Sequence, residues 1–465
     1  MKISSIAMVA VAVTGAFALE ARTFEVAAWR GETVAARVPD FAELGKAPDG
    51  IRIRFGVLKP VRYAPAVESL QRLEVYDRVE WDEDDEGPRV VEVSVPTDAK
   101  PGVYTCGMMD VRVVDRVLPP AKEWKYYLDL WQHPWATARI AKAKPFSKRH
   151  YAAMRPVYEL LATAGQKTIT VSILDQPWDH QCFDAYHSMV DDADFRTFDE
   201  YVRFCRDCGL GPDISCYSLC PWTLGKDIDA DELERRWGVF LDRFTKHLKE
   251  KGWYDQTLMA MDERMPEDVK KVADFVRRHA PGMRISMAGN RKPSEFDGID
   301  IDVYCQTLRH VSPDFLAEVP ARRAKGFVTT FYVCCGPAYP NTFMSSGPGE
   351  AFWLGAYPAM AGLDGFLRWA WNSWPQNPKE DATYWNWRAG DTFLCYPGGE
   401  PSWRFLELRN GIIAAEKIRL LKEQGLFADD LAKIAALYKV DEAVANKSDF
   451  PKIRKATLDI VNKER

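Results

Sequence analysis

The sequence predicts an α/β fold, with a (β/α)8 TIM barrel preceded by an N-terminal β-sandwich. Residues 22–118 contain short strands separated by turn residues and lack helical periodicity, which is typical of a sandwich. From Trp124 onward, strand patterns alternate with amphipathic helices. Eight such alternations over about 290 residues favour a barrel. A doubly wound open sheet is the alternative, but no glycine-rich phosphate-binding turn follows a strand.

The first residues are typical of an export signal. Lys2 precedes an apolar run from Ile6 to Val13 that is too short to span a bilayer, and small residues precede a cleavage site after Ala18. We therefore predict a signal peptide over residues 1–18 and a periplasmic or secreted mature protein. A buried N-terminal helix is the alternative. No later apolar run reaches ~18 residues, so we expect no membrane span.

The β-sandwich is predicted over residues 19–120. The stretch 90–95 mixes β-branched and polar residues, turn residues follow at 98–102, and further strands are expected at 103–105 and 111–114. Two prolines then mark a domain boundary, and the barrel with its C-terminal helices is predicted over the remaining residues, 121–465.

The barrel domain is predicted to contain eight strands and their connecting helices. The strands are expected at 126–130, 168–174, 213–219, 257–261, 283–288, 301–307, 327–333 and 365–371. Helices are expected at 151–164, 197–208 and 231–251, after Pro266, and at 402–424, where apolar spacing fits an outer helix of the barrel.

Composition excludes several classes of protein. The chain has 62 basic and 67 acidic residues and a net charge of −5, so no basic surface indicates a nucleic-acid partner. An apolar fraction of 47% excludes general disorder.

The ten cysteines show no disulfide framework, although one or two disulfides are possible alternatives. Cys205 and Cys208 lack a second pair of ligands for zinc. The 16 tryptophans suit either a large core or a site that stacks on sugars.

The predicted ends of the barrel strands are rich in acids, amides and indoles. Reactive groups of such barrels collect at the carboxyl ends of the strands. The residues there are Asp129, Trp131, Gln132, His133, Asp175, Gln176, Trp178, Trp222, Asp262, Glu263, Gln306, Tyr332, Trp369, Trp371, Asn372 and Trp374. They include no Ser-His-Asp spacing and no histidine cluster. Carboxylates beside aromatic platforms are typical of enzymes that cleave glycosidic bonds.

The adjacent pair Asp262 and Glu263 is the sharpest of these features. Neighbouring like charges push their pKa values apart, so a carboxylate pair at a strand end can provide one proton donor and one permanent anion. The alternative is structural, since both residues also suit the first turn of the following helix.

Several stretches together resemble family-123 glycoside hydrolases, a family known for exo-acting β-N-acetylgalactosaminidases. The resemblance covers nearly all of the mature chain. The matching stretches are 128–134, 261–263, 365–374, 390–393 and 396–398, with Arg404-Phe405 and Leu408-Arg409 following.

The resemblance implies a substrate-assisted mechanism that retains configuration. The 2-acetamido oxygen of the sugar attacks the anomeric carbon and forms an oxazolinium ion. Asp262 would hold the acetamido N–H and stabilise the positive charge, and Glu263 would be the general acid and then the general base. No cofactor is implied, and the partner is a glycan that ends in an amino sugar, on a glycolipid, a mucin-type chain or a polysaccharide.

Further residues are candidates for binding the sugar. Trp371, Asn372 and Trp374 would form the wall and amide contacts of the subsite, and Tyr332 would bond the acetamido oxygen. The other rim candidates are Trp131, His133, Gln306 and Tyr304. Core packing is the alternative for each tryptophan, and a structural role is the alternative for the histidine.

Two other functions stay open at this point. A glycosidase acting on a sugar without the acetamido group would need a different carboxylate, for example Asp129 or Asp175. A non-catalytic glycan-binding protein of the cell envelope would need no acid pair.

Overall fold

The computed structural model describes residues 23–40, 42–82, 86–175, 182–191, 194–217, 230–296 and 298–464. Within these ranges the chain forms two packed sheets, then a parallel eight-stranded barrel and a set of C-terminal helices, which confirms the predicted fold class. The predicted signal peptide lies outside the described residues, as do Gln176, Trp178 and Trp222.

The sandwich consists of two sheets that share a core rich in valine. Its described strands are β1 (Phe24–Arg30), β2 (Thr33–Arg37), β3 (Arg52–Tyr63), β4 (Leu73–Glu80), β5 (Arg89–Ser94), β6 (Gly102–Cys106) and β7 (Met109–Val117). One sheet has the order β1-β7-β6 and the other the order β2-β5-β3-β4. Alternating residues of facing strands, such as Val91 and Val93 of β5 and Val111 and Val113 of β7, pack together between the sheets.

The barrel is a parallel sheet that returns to its first strand. Its strands are β8 (Tyr127–Leu130), β9 (Thr168–Ser172), β10 (Asp213–Tyr217), β11 (Thr257–Asp262), β12 (Arg284–Gly289), β13 (Val303–Thr307), β14 (Val328–Tyr332) and β15 (Gly365–Arg368). Consecutive strands from β9 to β15 pair in parallel, and β15 pairs with β8. Every one of these strands overlaps a strand predicted from the sequence. Nearly all of their residues are buried, because helices cover the sheet outside and side chains fill it inside.

Two glutamine side chains complete the barrel between β8 and β9. The Oε1 atom of Gln166 accepts the N–H of Leu130 at 3.0 Å, and Oε1 of Gln132 accepts the N–H of Thr170 at 2.9 Å. Because buried backbone groups need partners, these amides replace ladder hydrogen bonds where the two strands diverge. Gln132 is therefore part of the barrel wall rather than of its open rim.

Helices cover the outside of the barrel and the C-terminal part of the chain. They are α1 (Pro134–Ile140), α2 (Lys148–Ala162), α3 (Arg196–Asp207), α4 (Ala230–Leu233), α5 (Val239–Lys251), α6 (Pro266–His279), α7 (Pro313–Ala324), α8 (Glu350–Ala361), α9 (Trp403–Glu423), α10 (Ala428–Ala435), α11 (Val440–Val444) and α12 (Phe450–Val461). A short hairpin, β16 (Cys395–Tyr396) with β17 (Glu400–Pro401), precedes α9. None of the helices in the described ranges has the length and apolarity needed to cross a membrane.

Helix α9 is buried and joins the sandwich to the barrel. At its start, Nε of Arg404 donates to Oδ1 of Asp77 on β4 at 3.0 Å. Where α9 crosses α8, a Cβ on Gly411 would overlap the carbonyl oxygen of Phe352. Glycine at this position therefore lets the two helices pack with their backbones in contact.

Candidate active site

A cavity of about 280 Å³ opens at the carboxyl ends of the barrel strands. Its lining comes from the ends of β8, β11, β12, β14 and β15 and from the segments that follow them. The described residues that line it are Trp131, Asp262, Glu263, Ala288, Tyr332, Cys334, Cys335, Leu367, Trp369 and Trp387. This is the end of a barrel at which catalytic groups collect, so the cavity is the candidate active site.

The backbone at Glu263 turns both acidic side chains toward this cavity. Asp262 is the last residue of β11, and adjacent residues of a strand ordinarily point to opposite faces. Glu263 has a φ of 47°, in the left-handed region, while its N–H donates to the carbonyl oxygen of Ala288 at 2.8 Å. This turn ends the alternation, so consecutive carboxylates line one cavity. Helix α6 begins only at Pro266, so the acid pair precedes that helix.

Burial and charge both act on the carboxyl group of Asp262. Its pKa is raised to about 7, first by burial and then by the negative charge of Glu263, while Arg264 opposes the shift. The carboxyl therefore titrates near neutral pH in this structure. Perturbed titration of an acid in a cleft is a property of many catalytic sites.

The phenol of Tyr332 contacts the second acid of the pair. Its O–H donates to Oε1 of Glu263 at 2.5 Å. Burial raises the pKa of Tyr332, and the hydrogen bond to Glu263 raises it further, so the phenol stays a neutral donor. The bond predicted from this phenol to the acetamido oxygen of a substrate stays a prediction, and in this structure the phenol donates to the carboxylate of Glu263.

Aromatic rings form part of the cavity wall. Trp131 packs on Tyr217 with 4.5 Å between ring centroids, and Trp369 packs on Trp387 with 5.0 Å between centroids. The indole N–H of Trp369 donates to Oδ1 of Asp391 at 3.1 Å, which fixes the orientation of this ring. Such rings can stack on the C–H faces of a sugar.

Three predicted sugar contacts lie away from the cavity. Trp371, Asn372 and Trp374 are all fully buried, and none of them lines the cavity. Trp371 packs on Phe405 with 4.8 Å between centroids, and the indole of Trp374 donates to the carbonyl oxygen of Cys395 at 2.7 Å. In the structure Trp371 and Trp374 therefore pack in the core, and Asn372 forms buried hydrogen bonds with His133 and Thr137.

The side chain of His133 is also placed in the core. It is fully buried, and its Nε2 lies 3.1 Å from the carbonyl oxygen of Asp184. Burial lowers the pKa of His133 to about 3, so the ring is neutral. Its backbone N–H donates to Oδ1 of Asn372 at 2.8 Å, which links the ends of β8 and β15.

The remaining two rim candidates, Gln306 and Tyr304, form hydrogen bonds with the loop that follows β12. Nε2 of Gln306 donates to the carbonyl oxygen of Arg291 at 3.0 Å, and the phenol of Tyr304 donates to the same oxygen. Both side chains are buried and outside the cavity lining. Of the residues predicted at the rim, the structure thus brings Asp262, Glu263, Tyr332, Trp131 and Trp369 together.

Other cavity residues were not selected from the sequence. Trp387 lies in an irregular segment away from any predicted strand end, whereas Cys334 and Cys335 directly follow the strand predicted at 327–333 but are neither acids, amides nor indoles. The closely spaced pair Trp385 and Trp387 was the one available signal. No group of three or more His, Cys, Asp or Glu residues that could hold a metal occurs among the described residues.

The alternative carboxylates are not positioned at the cavity. Asp129 is buried, accepts a hydrogen bond from Thr168 and has its pKa raised to about 6 by burial. Asp175 is exposed and accepts the N–H of Ser188 at 2.9 Å. Among the described residues that line the cavity, Asp262 and Glu263 are the only carboxylates.

Comparison with known proteins agrees with this geometry. Residues 131–421 match the family model of the catalytic domain of glycoside hydrolase 123. A family 123 glycoside hydrolase from Clostridium perfringens, whose structure details glycolipid glycan hydrolysis, is 22% identical with a TM-score of 0.79, over 95% of this chain and 94% of that chain. No curated protein sequence is significantly similar to this chain.

Other solved structures align less well. A family 5 mannosidase from Rhizomucor miehei is 12% identical with a TM-score of 0.33, over 63% of this chain and 94% of that chain. A broad-specificity endoglucanase from Clostridium longisporum is 11% identical with a TM-score of 0.37, over 65% of this chain and 99% of that chain. These two weak similarities do not bear on function. Because the family model covers more than half of the chain, this protein belongs to glycoside hydrolase family 123 and is a glycosidase.

Proposed function

We propose that this glycosidase removes terminal β-linked N-acetylgalactosamine from glycans and retains the anomeric configuration. The observation that carries the proposal is that two consecutive carboxylates line one cavity, with no other carboxylate among its described lining residues. A double-displacement enzyme needs a nucleophile and an acid on opposite sides of the sugar, ≈ 5–5.5 Å apart. Asp262 and Glu263 share one edge of the cavity, so the acetamido group of the substrate is the better candidate for the nucleophile.

Bond formation and bond breaking follow from this assignment. The acetamido carbonyl oxygen attacks the anomeric carbon as the glycosidic C–O bond breaks, and Glu263 gives its proton to the leaving oxygen. Asp262, in its deprotonated form, accepts the acetamido N–H and stabilises the charge of the oxazolinium ion; with a pKa of about 7 this form is present from near-neutral pH upward. Glu263 then takes a proton from water, which attacks the anomeric carbon and reopens the five-membered ring.

The bond from Tyr332 orients the proposed general acid. Because the phenol occupies Oε1 of Glu263, the other oxygen of this carboxyl is the one available to the leaving group. The same bond stabilises the carboxylate after proton transfer, since an O–H donor favours the charged form.

The size and walls of the cavity support exo action on a single sugar. A volume of about 280 Å³ lies just below the ≈ 300–1,000 Å³ of sites for drug-sized ligands. Trp131, Trp369 and Trp387 offer ring faces to the apolar side of a pyranose. These features fit one terminal residue better than an internal segment of a polysaccharide.

The substrate and the location are proposed from the solved relative and from the first residues of the sequence. The Clostridium perfringens relative is associated with glycolipid glycans, and a terminal amino sugar on a glycolipid, a mucin-type chain or a polysaccharide would present the same group to the cavity. The leader-like first 18 residues support export to the periplasm or the medium.

The test is hydrolysis of a chromogenic β-N-acetylgalactosaminide by the full-length protein. We expect turnover by the wild type and a fall in kcat of about 100-fold or more in both Glu263→Gln and Asp262→Asn, because each removes a charge or proton that the transition state needs. Glu250→Gln, an exposed change on α5, is the matched control and should keep wild-type activity.

A thiazoline analogue of the oxazolinium ion separates this mechanism from double displacement. It should inhibit the wild type tightly and Asp262→Asn weakly, because the bond to the ring nitrogen is lost. Equal turnover of an aryl β-galactoside without the acetamido group, or full activity of Glu263→Gln, would contradict the proposal.

A further inference from the structure

Two consecutive cysteines lie at the wall of the sugar cavity. Cys334 is half-buried, Cys335 is exposed, and their Sγ atoms are 3.7 Å apart. Both residues line the cavity that contains Glu263. The other seven cysteines in the described ranges are buried. Within those ranges, this pair is therefore the thiol site that a soluble reagent can reach.

The environment of the pair favours a thiolate on the outer cysteine. The two thiols are within hydrogen-bonding distance, and with Cys334 as the donor this contact lowers the pKa of Cys335 to about 7, although partial burial and the charges of Asp391 and Glu263 oppose the shift. The pKa of Cys334 is raised by the same interaction and by burial. Because the thiolate is the reacting form, Cys335 is the nucleophile of the two.

Hydrogen bonds from the side chain of Asn341 hold the backbone around the pair. Nδ2 of Asn341 donates to the carbonyl oxygens of Cys334, at 3.0 Å, and of Pro337, at 2.7 Å. Oδ1 of Asn341 accepts from Arg368, which is fully buried and paired with Asp391 at 2.8 Å. The two thiols thus lie on a hydrogen-bonded segment that begins two residues after Tyr332, so a change in its backbone is transmitted to its neighbours.

We propose that Cys334 and Cys335 form a modification site for small-molecule disulfides, and that their oxidation to a cross-link between neighbours lowers activity at the sugar cavity. The thiolate of Cys335 attacks one sulfur of a disulfide such as oxidised glutathione, and the other sulfur leaves as a thiolate. The sulfur of Cys334 then attacks Sγ of Cys335, forms the Cys334–Cys335 bond and releases the second thiolate. Two cysteine thiols are oxidised, one reagent disulfide is reduced to two thiols, and both protons pass to them.

Covalent geometry makes this cross-link reversible. The Cα atoms of neighbouring residues are about 3.8 Å apart, whereas disulfides ordinarily join Cα atoms 4.4–6.8 Å apart. The eight-membered ring is therefore strained, and strained, exposed disulfides are the labile ones. Such a bond suits a reversible modification rather than a structural cross-link.

Oxidation should disturb the acid pair through its neighbours. Closing the ring moves both sulfur atoms and alters the segment that follows Tyr332, whose phenol orients Glu263. We expect kcat/KM to fall about 3–10-fold. This is smaller than the contribution of about 10²–10⁴-fold that a general acid makes, because Glu263 would be misoriented rather than removed.

The experiment treats the full-length protein with oxidised glutathione, blocks the remaining thiols with an alkylating reagent and maps peptides by mass spectrometry. In the wild type, the peptide containing Cys334 and Cys335 should lose both alkylation sites without retaining glutathione, and a dithiol should restore alkylation and activity. In Cys334→Ser, glutathione should stay on Cys335, because the second attack is removed. Cys335→Ser should acquire little glutathione. Cys220, which lies outside the described residues, is followed as a separate peptide.

Each result decides the proposal. If both thiols of the folded wild type remain alkylatable after treatment, the modification site is refuted. If they oxidise while activity is unchanged, or if the double variant Cys334→Ser/Cys335→Ser is inhibited as strongly as the wild type, the effect on the cavity is refuted. The mass readout needs no substrate, and the activity readout uses any aryl glycoside that is hydrolysed. Failure of the proposed sugar specificity is therefore distinguishable from failure of this inference.

Discussion

At the scale of single residues, the candidate site depends on arrangements that cost stability. A left-handed non-glycine residue such as Glu263 costs on the order of 1–3 kcal/mol. The carboxyl of Asp262 is half-buried beside another acid, which disfavours its charged form. Both costs come from placing two acids at one strand end. A variant with a neutral side chain at this position should therefore have a higher free energy of unfolding than the wild type.

The pH dependence of this cost follows from the raised pKa of Asp262. Below about pH 4 the carboxyl is protonated in the folded and the unfolded chain, and it has no effect on the free energy of unfolding. As the pH rises toward 7, the unfolded chain loses this proton while the folded chain keeps it. Stability therefore falls over this interval and is constant above the folded pKa of about 7.

We therefore predict that Asp262→Asn stabilises the protein as it inactivates it. Each pKa unit is about 1.4 kcal/mol, and partial exposure reduces the effect, so we expect a gain of about 1–3 kcal/mol in the free energy of unfolding at pH 8. The gain should shrink steadily from pH 7 to pH 5. Urea unfolding at several pH values measures it, with Glu250→Gln as a control that changes little at any of them. A gain independent of pH would contradict this explanation.

At the scale of elements, the barrel strands were predictable, whereas the positions of residues beyond their ends were not. Short apolar segments between amphipathic helices identify the strands, because a parallel sheet covered on both faces needs such segments. The sequence also predicted Asp262, Glu263, Tyr332, Trp131 and Trp369 at the cavity. It missed Trp387, because side chains in irregular segments follow no period, and it missed the cysteine pair, because thiols were not among the residue types selected at the strand ends. The buried positions of Trp371 and Trp374 arise from long-range packing that no local pattern contains.

The contact between α8 and α9 gives a prediction for a single element. Alanine has a higher helix propensity than glycine by about 1 kcal/mol, so Gly411→Ala would stabilise an isolated α9. Here the new Cβ would overlap the carbonyl oxygen of Phe352, a backbone atom of α8. We expect a net loss of about 1–3 kcal/mol in the free energy of unfolding, measured by urea denaturation.

A glycine with open space around it is the control. Gly252 ends α5 in the left-handed region, and no atom lies near a Cβ placed there. Gly252→Ala should cost only about 1 kcal/mol, the conformational penalty. If Gly411→Ala is as stable as the wild type, the two helices are not in backbone contact.

At the scale of the whole molecule, the sandwich and the barrel are joined by buried charges. Asp77 of β4 accepts Nε of Arg404 at 3.0 Å and the phenol of Tyr396 at 2.6 Å. The same guanidinium donates to the carbonyl oxygens of Gly390 and Phe393, each at 3.1 Å. These two residues flank Asp391, which holds the indole of Trp369 in the cavity wall. The sandwich thus supplies the counter-charge for an arginine that supports the barrel loops.

We predict that Asp77→Asn destabilises the whole protein. The change keeps the volume of the side chain but leaves Arg404 as a buried cation without a carboxylate, and breaking a buried pair in this way costs about 3–5 kcal/mol. Arg72→Gln is the matched control, because Arg72 pairs with Asp381 across the same interface at 3.2 Å but is exposed, where a pair contributes about 0–1 kcal/mol. Urea unfolding followed by tryptophan fluorescence and by circular dichroism should give one transition in the wild type, shifted to lower urea in Asp77→Asn and scarcely shifted in Arg72→Gln. Equal shifts in the two variants would show that burial does not determine the contribution of the Asp77–Arg404 pair to the free energy of unfolding. A separate transition at lower urea in the wild type would show that the sandwich unfolds independently of the barrel.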